Sequence, residues 1–217
     1  MKYIKYGIHT GKENMQIDFD LLENSIKTQT SEPIFRLYGW KPRCISLGRN
    51  QNDMEIEGVD VVRRVTGGRA LLHDDEVTYS YITPVSIVPD GESITKSYKY
   101  ISGILVDFFK TLGVELSFGG ETENSKNVRH EYCMLISTGA DVCYNGRKII
   151  GSAQFRKNGY ILQHGSILFG YDKNFLETIF NEKISQNSIT TVKDVLPDMT
   201  KEKFVEKLEK YIKTKFL

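Results

Sequence analysis

The chain has 217 residues, 40% hydrophobic and 26% charged, enough apolar material for a packed core in one domain spanning 1–217. Lys and Arg total 29 against 28 Asp and Glu, and a net charge of +1 argues against a dedicated nucleic-acid binder, which needs clustered positive charge. No stretch approaches the ~20 apolar residues of a bilayer span, and the opening MKYIKYGIHTGKEN lacks the apolar run of a secretion signal, so neither a membrane nor an export route is expected.

In chain order, residues 3–8 read as a strand, and 13–27 as a helix with Met15, Phe19, Leu22 and Ile26 on one face. Short apolar runs at 34–40 and 43–47, bounded by Gly and Pro, read as strands, as does 59–65 leading into Thr66-Gly67-Gly68. The β-branched and aromatic run 77–83 predicts a strand ended by Pro84. Apolar residues three or four apart over 93–112 predict a helix with Gly113 behind its end. Residues 119–131 are polar and read as a mobile loop. Three β-like runs near 140–144, 147–156 and 159–168 follow, joined by Asn145-Gly146 and Asn158-Gly159, both hairpin signals. The stretch 200–216 is amphipathic. Helices and hairpins in this order predict an α+β domain, a mixed β-sheet with flanking helices.

The cysteines are Cys44, Cys133 and Cys143, and no C-x-x-C occurs. An odd count without that spacing predicts no disulfide framework and no metal site, and free thiols fit a reducing, cytoplasmic location.

Three short runs carry chemistry. In Arg63-Arg64-Val65-Thr66-Gly67-Gly68-Arg69-Ala70-Leu71-Leu72-His73, adjacent glycines after a strand leave backbone amides open to a ligand. Arg64 and Arg69 beside them could hold a phosphate; the plainer reading is a turn with two solvated arginines. The run is not a P-loop, since no Gly-Lys-Ser/Thr follows. In Gly146-Arg147-Lys148-Ile149-Ile150-Gly151-Ser152-Ala153-Gln154, Lys148 lies on a predicted strand. A partly desolvated lysine there would move protons or hold a carbonyl oxygen; the alternative is a surface lysine on an edge strand. In Gln163-His164-Gly165-Ser166, a glycine inside a strand suggests close backbone approach, while His164 alone reads as a satisfied core residue.

Together and in this order, these runs resemble the lipoate side of the biotin/lipoate protein ligase and octanoyltransferase family. There they read Arg-Arg-x-Ser/Thr-Gly-Gly-Arg/Gly-Ala-x-x-His, Lys-x-x-Gly-Ser-Ala-Gln and Leu-Gln-His-Gly-Ser/Thr-Ile/Leu. Glu13-Asn14-Met15 with Ile17-Asp18, and Ser46-Leu47-Gly48-Arg49 with Gln51, also match. The resemblance covers most of residues 1–170, and no family motif is recognised from Thr200 onward.

The resemblance implies the biotin/lipoate ligase catalytic-domain fold, an acyl tunnel, and substrate-binding roles for Arg49, Arg64, Thr66, Gly67, Gly68, Arg69, Ala70, His73, Gly151, Ser152, Ala153, His164 and Gly165. Family members that use a thioester carry a nucleophilic Cys. One class places it thirteen residues before the Gly that precedes Arg-Lys-x-x-Gly-Ser-Ala-Gln, and counting back from Gly146 gives Cys133. Cys133-Met-Leu-Ile-Ser137-Thr138-Gly139-Ala140-Asp141 lacks the Pro and Tyr of that class, and its second half leans toward the ligases. The expectation is therefore a cysteine-dependent, ligase-like octanoyltransferase without a cofactor. Cys133 and Lys148 would be catalytic, acyl carrier protein the donor, and a lipoyl domain or glycine-cleavage carrier protein the acceptor. The alternatives are an ATP- and Mg-dependent lipoate–protein ligase and a lipoyl amidotransferase. Lys148 is expected to aim its amine into a pocket lined by Gly67, Gly68 and His73, with Leu71 and Leu72 in the tunnel wall.

Overall fold

A computed structural model of the protein describes residues 1–119, 132, 134, 139, 141–185 and 187–216. Strand β1 (Lys2–His9) leads through helix α1 (Gly11–Thr28) to β2 (Ile34–Trp40). Thr10 starts α1 with a capping box: its hydroxyl accepts from the Glu13 amide while the Glu13 carboxylate takes the Thr10 amide. Strands β3 (Cys44–Leu47), β4 (Asp60–Arg63), β5 (Leu71–His73) and β6 (Glu76–Pro84) precede helix α2 (Ile94–Thr111). After β7 (Ser117–Phe118) come β8 (Val142–Tyr144), β9 (Arg147–Lys157) and β10 (Tyr160–Leu168), then helices α3 (Lys173–Phe180), α4 (Val192–Val195) and α5 (Lys201–Phe216).

Seven strands form one sheet in the order β1-β2-β6-β10-β9-β8-β7. β1 and β2 run parallel around α1, and the remaining pairs are antiparallel, so the sheet is mixed, as expected. Strands β4-β3-β5 make a second, smaller sheet. The two Asn-Gly turns behave as their sequence dictates. Asn145 and Gly146 take φ of 48° and 77°, and Asn158 and Gly159 take 48° and 78°, the left-handed pair that a two-residue hairpin requires. Gly113 at φ 79° lies just past α2.

Helices α2 and α5 bury one face of the large sheet, with Leu105, Phe108, Phe109, Phe204 and Leu208 packed on Phe35, Tyr79, Ile149, Ile161 and Ile167. The opposite face meets α1, and here the sequence reading needs correction. The stripe that α1 buries is Asn14, Asp18, Leu22 and Ser25, while Met15, Phe19 and Ile26 are only half-buried. The helix is rotated because Arg36 on β2 reaches up to it: its guanidinium donates to Asp18 Oδ1 at 2.7 Å and to Asn14 Oδ1 at 2.6 Å. The strand expected over 59–65 is confined to Asp60–Arg63, because Arg64 turns inward and Val65 leads into the glycine turn. Strands β5 and β7 and helices α3 and α4 were not anticipated. The loop expected at 119–131 falls, beyond Gly119, outside the described residues. Among the described residues no helix is long and apolar enough to cross a membrane.

Candidate functional site

Residues from α1, both sheets and the glycine turn line a narrow pocket that opens to solvent. Small residues on β9 and β10 create the space. A Cβ on Gly151 would lie 2.7 Å from Met134 Sδ and 3.0 Å from Lys148 Cε, and one on Gly165 would lie 2.7 Å from the Gly151 carbonyl oxygen. Met15, Tyr38, Trp40, Leu71 and Met134 supply apolar wall. Of the expected binding residues, Arg64, Gly68, His73, Gly151, Ser152, Ala153, His164 and Gly165 line it.

The other expected residues stand elsewhere. Arg49 is exposed, with its guanidinium carbon 5.5 Å from the Phe155 ring centre. Thr66, Gly67, Arg69 and Ala70 are not in the wall. Thr66 is buried and meets His164 Nε2 at 2.7 Å, and buried Ala70 bridges to Tyr132. Leu72 points away from the pocket into the cluster beneath α3, whereas Leu71 borders it as expected.

Arg64 lines the pocket but is not a free phosphate clamp. Its guanidinium donates to the carbonyls of Ser46, Gly67 and Arg69 at 2.7–3.2 Å and to Ser46 Oγ at 3.0 Å. That fork holds the turn closed while Gly68 takes φ 93°. The turn is also pinned from outside: the Arg49 amide donates to Thr66 O, and Gly48 packs against the Gly68 carbonyl, leaving no room for a Cβ.

Lys148 is not a surface lysine. It is 2% exposed on β9, with Nζ 3.0 Å from Asp141 Oδ1, and residues 188–190 pair with its backbone as a strap. Its amine lies beside Gly151, 3.4 Å from where a Cβ on that residue would stand, on the side that faces Met134. Gly68 and His73 share the pocket that Gly151 and Met134 line, while Gly67 and Lys148 are not among its lining residues.

Two charged networks border the site. Asp18 accepts from Arg36, Tyr38 and Ser80 and faces His164 Nδ1 at 3.4 Å. Burial alone would push the Asp18 carboxyl up; the bonds from His164 and Ser80 and the Arg36 charge outweigh it and hold the group below the usual range. Burial also lowers His164, with Asp18 only partly opposing it. The second network joins Ser46, His73 and Glu76, with Trp40 stacked on His73 at 3.7 Å between ring centres.

Cys133 lies outside the described residues. Of its sequence neighbours, Met134 borders the pocket and Tyr132 is buried against Phe180. Cys44 and Cys143 are buried, as packing residues should be, and burial pushes the Cys44 thiol up to about 12. The sequence reading gave no role to Trp40, Glu76 or Asp141. The one tryptophan of the chain and a glutamate opening an otherwise uncharged strand were the available signals.

The fold and the motif residues around this pocket define the class. The chain belongs to the family described as the lipoyl protein ligase A/B catalytic domain, matched over residues 10–213, so the family reaches into α5 and past Thr200, beyond which no motif is recognisable. Octanoyltransferase LipM of Macrococcus caseolyticus is 41% identical over 77% of this chain, and LipM of Staphylococcus aureus is 37% identical over 92%. The matched region spans 65% of the first relative's length and 75% of the second's. Among solved structures, lipoate-protein ligase A bound with ATP overlays with a TM-score of 0.73 at 20% identity, covering 98% of this chain and 84% of that one. LipL1 of P. falciparum in complex with lipoate gives 0.72 at 22% identity, covering 99% and 61%. These likenesses establish the lipoate-ligase fold, with its mixed sheet and flanking helices.

Proposed function

We propose that the protein transfers an octanoyl group from a thioester donor to a lysine of a lipoyl-carrier protein. The donor is octanoyl-acyl carrier protein and the acceptor a lipoyl domain or glycine-cleavage carrier. Cys133 Sγ attacks the thioester carbonyl, the donor thiol leaves, and the acyl group rests on the enzyme as a thioester. The carrier lysine then attacks that carbonyl, an amide forms, and Cys133 is regenerated. Exchange of one thioester for another is nearly balanced, and conversion to an amide draws the sequence forward without ATP. This scheme therefore has no cofactor.

The observation that carries this reading is the buried Lys148–Asp141 pair beside Gly151 and Met134. A fixed ammonium there favours a thiolate on the residue preceding Met134 and holds the proton exchanged with the donor thiol or the incoming amine. The apolar wall from Met134 to Trp40 suits an alkyl chain. The names of the relatives point the same way.

Intact-mass spectrometry after incubation with octanoyl-acyl carrier protein, without ATP, tests it. The expected result is a gain of one octanoyl group that Cys133→Ala abolishes. Full activity of Cys133→Ala with ATP and free lipoate would replace this reading with the ligase.

A further inference from the structure

The transfer scheme leaves Ser46, His73 and Glu76 without a part. Strand pairing sets Cys44 opposite His73, so Ser46, two residues on along β3, is a diagonal neighbour of His73 on the same face. Ser46 Oγ lies 2.8 Å from His73 Nε2, and His73 Nδ1 lies 2.7 Å from Glu76 Oε1. All three are buried, and Ser46 and His73 both border the pocket.

The surrounding donors determine where the protons sit. Arg64 can only donate, and its Nη1 meets Ser46 Oγ at 3.0 Å, so Oγ accepts there and keeps its own proton available to a second neighbour, Nε2 at 2.8 Å. The Glu76 carboxylate can only accept, so His73 Nδ1–H donates to it, and in that tautomer Nε2 is the ring nitrogen that takes the Ser46 proton. Burial opposes that charge, but His73 and the hydroxyls of Thr78 and Ser166, at 2.6 and 2.7 Å, outweigh it and keep Glu76 ionised. Trp40 locks the imidazole plane from one side and donates its own Nε1–H to Thr78. Nucleophile, base and orienting carboxylate thus follow the order that activates a serine.

We propose that Ser46, His73 and Glu76 form a second reactive centre, an activated serine that accepts an acyl group from an ester or thioester in the pocket and releases it to water. Ser46 Oγ bonds to the acyl carbon while its proton passes to His73 Nε2. The C–S or C–O bond breaks, and His73 returns the proton to the leaving thiolate or alkoxide. Water, deprotonated by His73, then cleaves the Ser46 ester. The sum is hydrolysis: thioester and water give carboxylic acid and thiol. This activity is independent of Cys133.

The test is reaction of the full chain with an alkyl fluorophosphonate, followed by intact mass and peptide mapping, alongside hydrolysis of p-nitrophenyl octanoate. A single adduct on Ser46 is expected. His73→Gln and Glu76→Gln should slow both labelling and hydrolysis by about 100-fold or more. No adduct, an adduct mapped elsewhere (Cys133 included), or labelling of Glu76→Gln at the wild-type rate would overturn the proposal. Mapping on the wild-type chain decides the matter even where Ser46→Ala fails to fold. Because the readout is a serine adduct, failure here leaves the Cys133 transfer reading untouched, and the reverse holds equally.

Discussion

On the side of the large sheet covered by α2 and α5, Phe108 packs edge to face on Phe109 and Phe204, which tilt against each other, with ring centres 5.4–5.8 Å apart. On the side covered by α1, the same strands bury Asp18, Arg36, Glu76 and His164. Strand β10 shows the division residue by residue: Ile161 and Ile167 enter the apolar core, while His164 and Ser166 reach Asp18 and Glu76. Apolar packing is indifferent to pH and needs no specific partner. The charged side is stable only while each group keeps its partner, so it is specific, rigid and conditional. The protein places its pocket on the conditional side.

The sharpest way to break that contrast is to alter function without altering the apolar platform. Cys133→Ala should abolish octanoyl transfer, and Cys133→Ser should lose most of it, because a serine hydroxyl stays protonated near neutral pH. Lys148→Met should lower kcat by about 10²–10⁴-fold, as expected for loss of a group that holds a transferred proton. Acyl-enzyme yield and single-turnover rates read both. Near-normal transfer by Lys148→Met would remove the lysine from the chemistry.

Stability separates the two sides next. Phe108→Ala should cost about 3–5 kcal/mol through the cavity it leaves, and the cost should barely change with pH. Arg36→Met should cost about as much, roughly 3–5 kcal/mol, because it strands the Asp18 carboxylate in the interior. Its cost must depend on pH. In the wild type the folded Asp18 has a lowered pKa, so its stabilisation is complete above the unfolded value of about 3.9 and fades as pH falls through the folded value. The gap between Arg36→Met and wild type should therefore be widest near neutrality and shrink in acid. Urea unfolding at several pH values checks this, and parallel pH profiles for Phe108→Ala and Arg36→Met would erase the distinction drawn between the faces.

A smaller effect belongs to His164. Burial lowers its folded pKa, so below about pH 6.5 the unfolded chain binds the extra proton first and stability climbs as pH rises through that window. His164→Gln should flatten that slope, measured as Tm against pH between about 5 and 7.

What the sequence revealed follows the same division. Features that are local in the chain were legible: two Asn-Gly hairpins, the α2 periodicity, and the glycines that let backbone approach backbone. The motif runs located most of the pocket wall, because three runs distant in sequence could be recognised as one set. Where a residue's meaning depends on a partner in another element, the reading failed. Arg64 looked like an anion clamp, yet its fork closes on the carbonyls of Ser46, Gly67 and Arg69. The apolar spacing of α1 suggested a buried Met15–Phe19 stripe, and only the position of Arg36 explains why Asn14 and Asp18 face inward instead. Glu76 was lost inside a β-rich run, since nothing adjacent in sequence shows that His73, Thr78 and Ser166 converge on it.

The smallest predicted effect concerns the joint between the glycine turn and β10. Asp18 is an acceptor, so a neutral His164 presents its Nδ1 proton to it and its bare Nε2 to Thr66, whose hydroxyl donates across 2.7 Å. Thr66→Val keeps the shape but removes that donor, leaving a buried ring nitrogen unsatisfied at a cost of about 1–3 kcal/mol. Thr66→Ser keeps the hydroxyl and should cost less. The consequence reaches the pocket through the backbone, because Thr66 O anchors the Arg49 amide and the next residues are Gly67 and Gly68. Loosening that anchor should raise KM for the acyl donor several-fold while kcat changes little, since Lys148 and Asp141 stand on β9 and in the segment before β8. Steady-state kinetics of the valine and serine variants read the split. Equal KM for Thr66→Val and wild type would show that the turn holds its position through Arg64 alone.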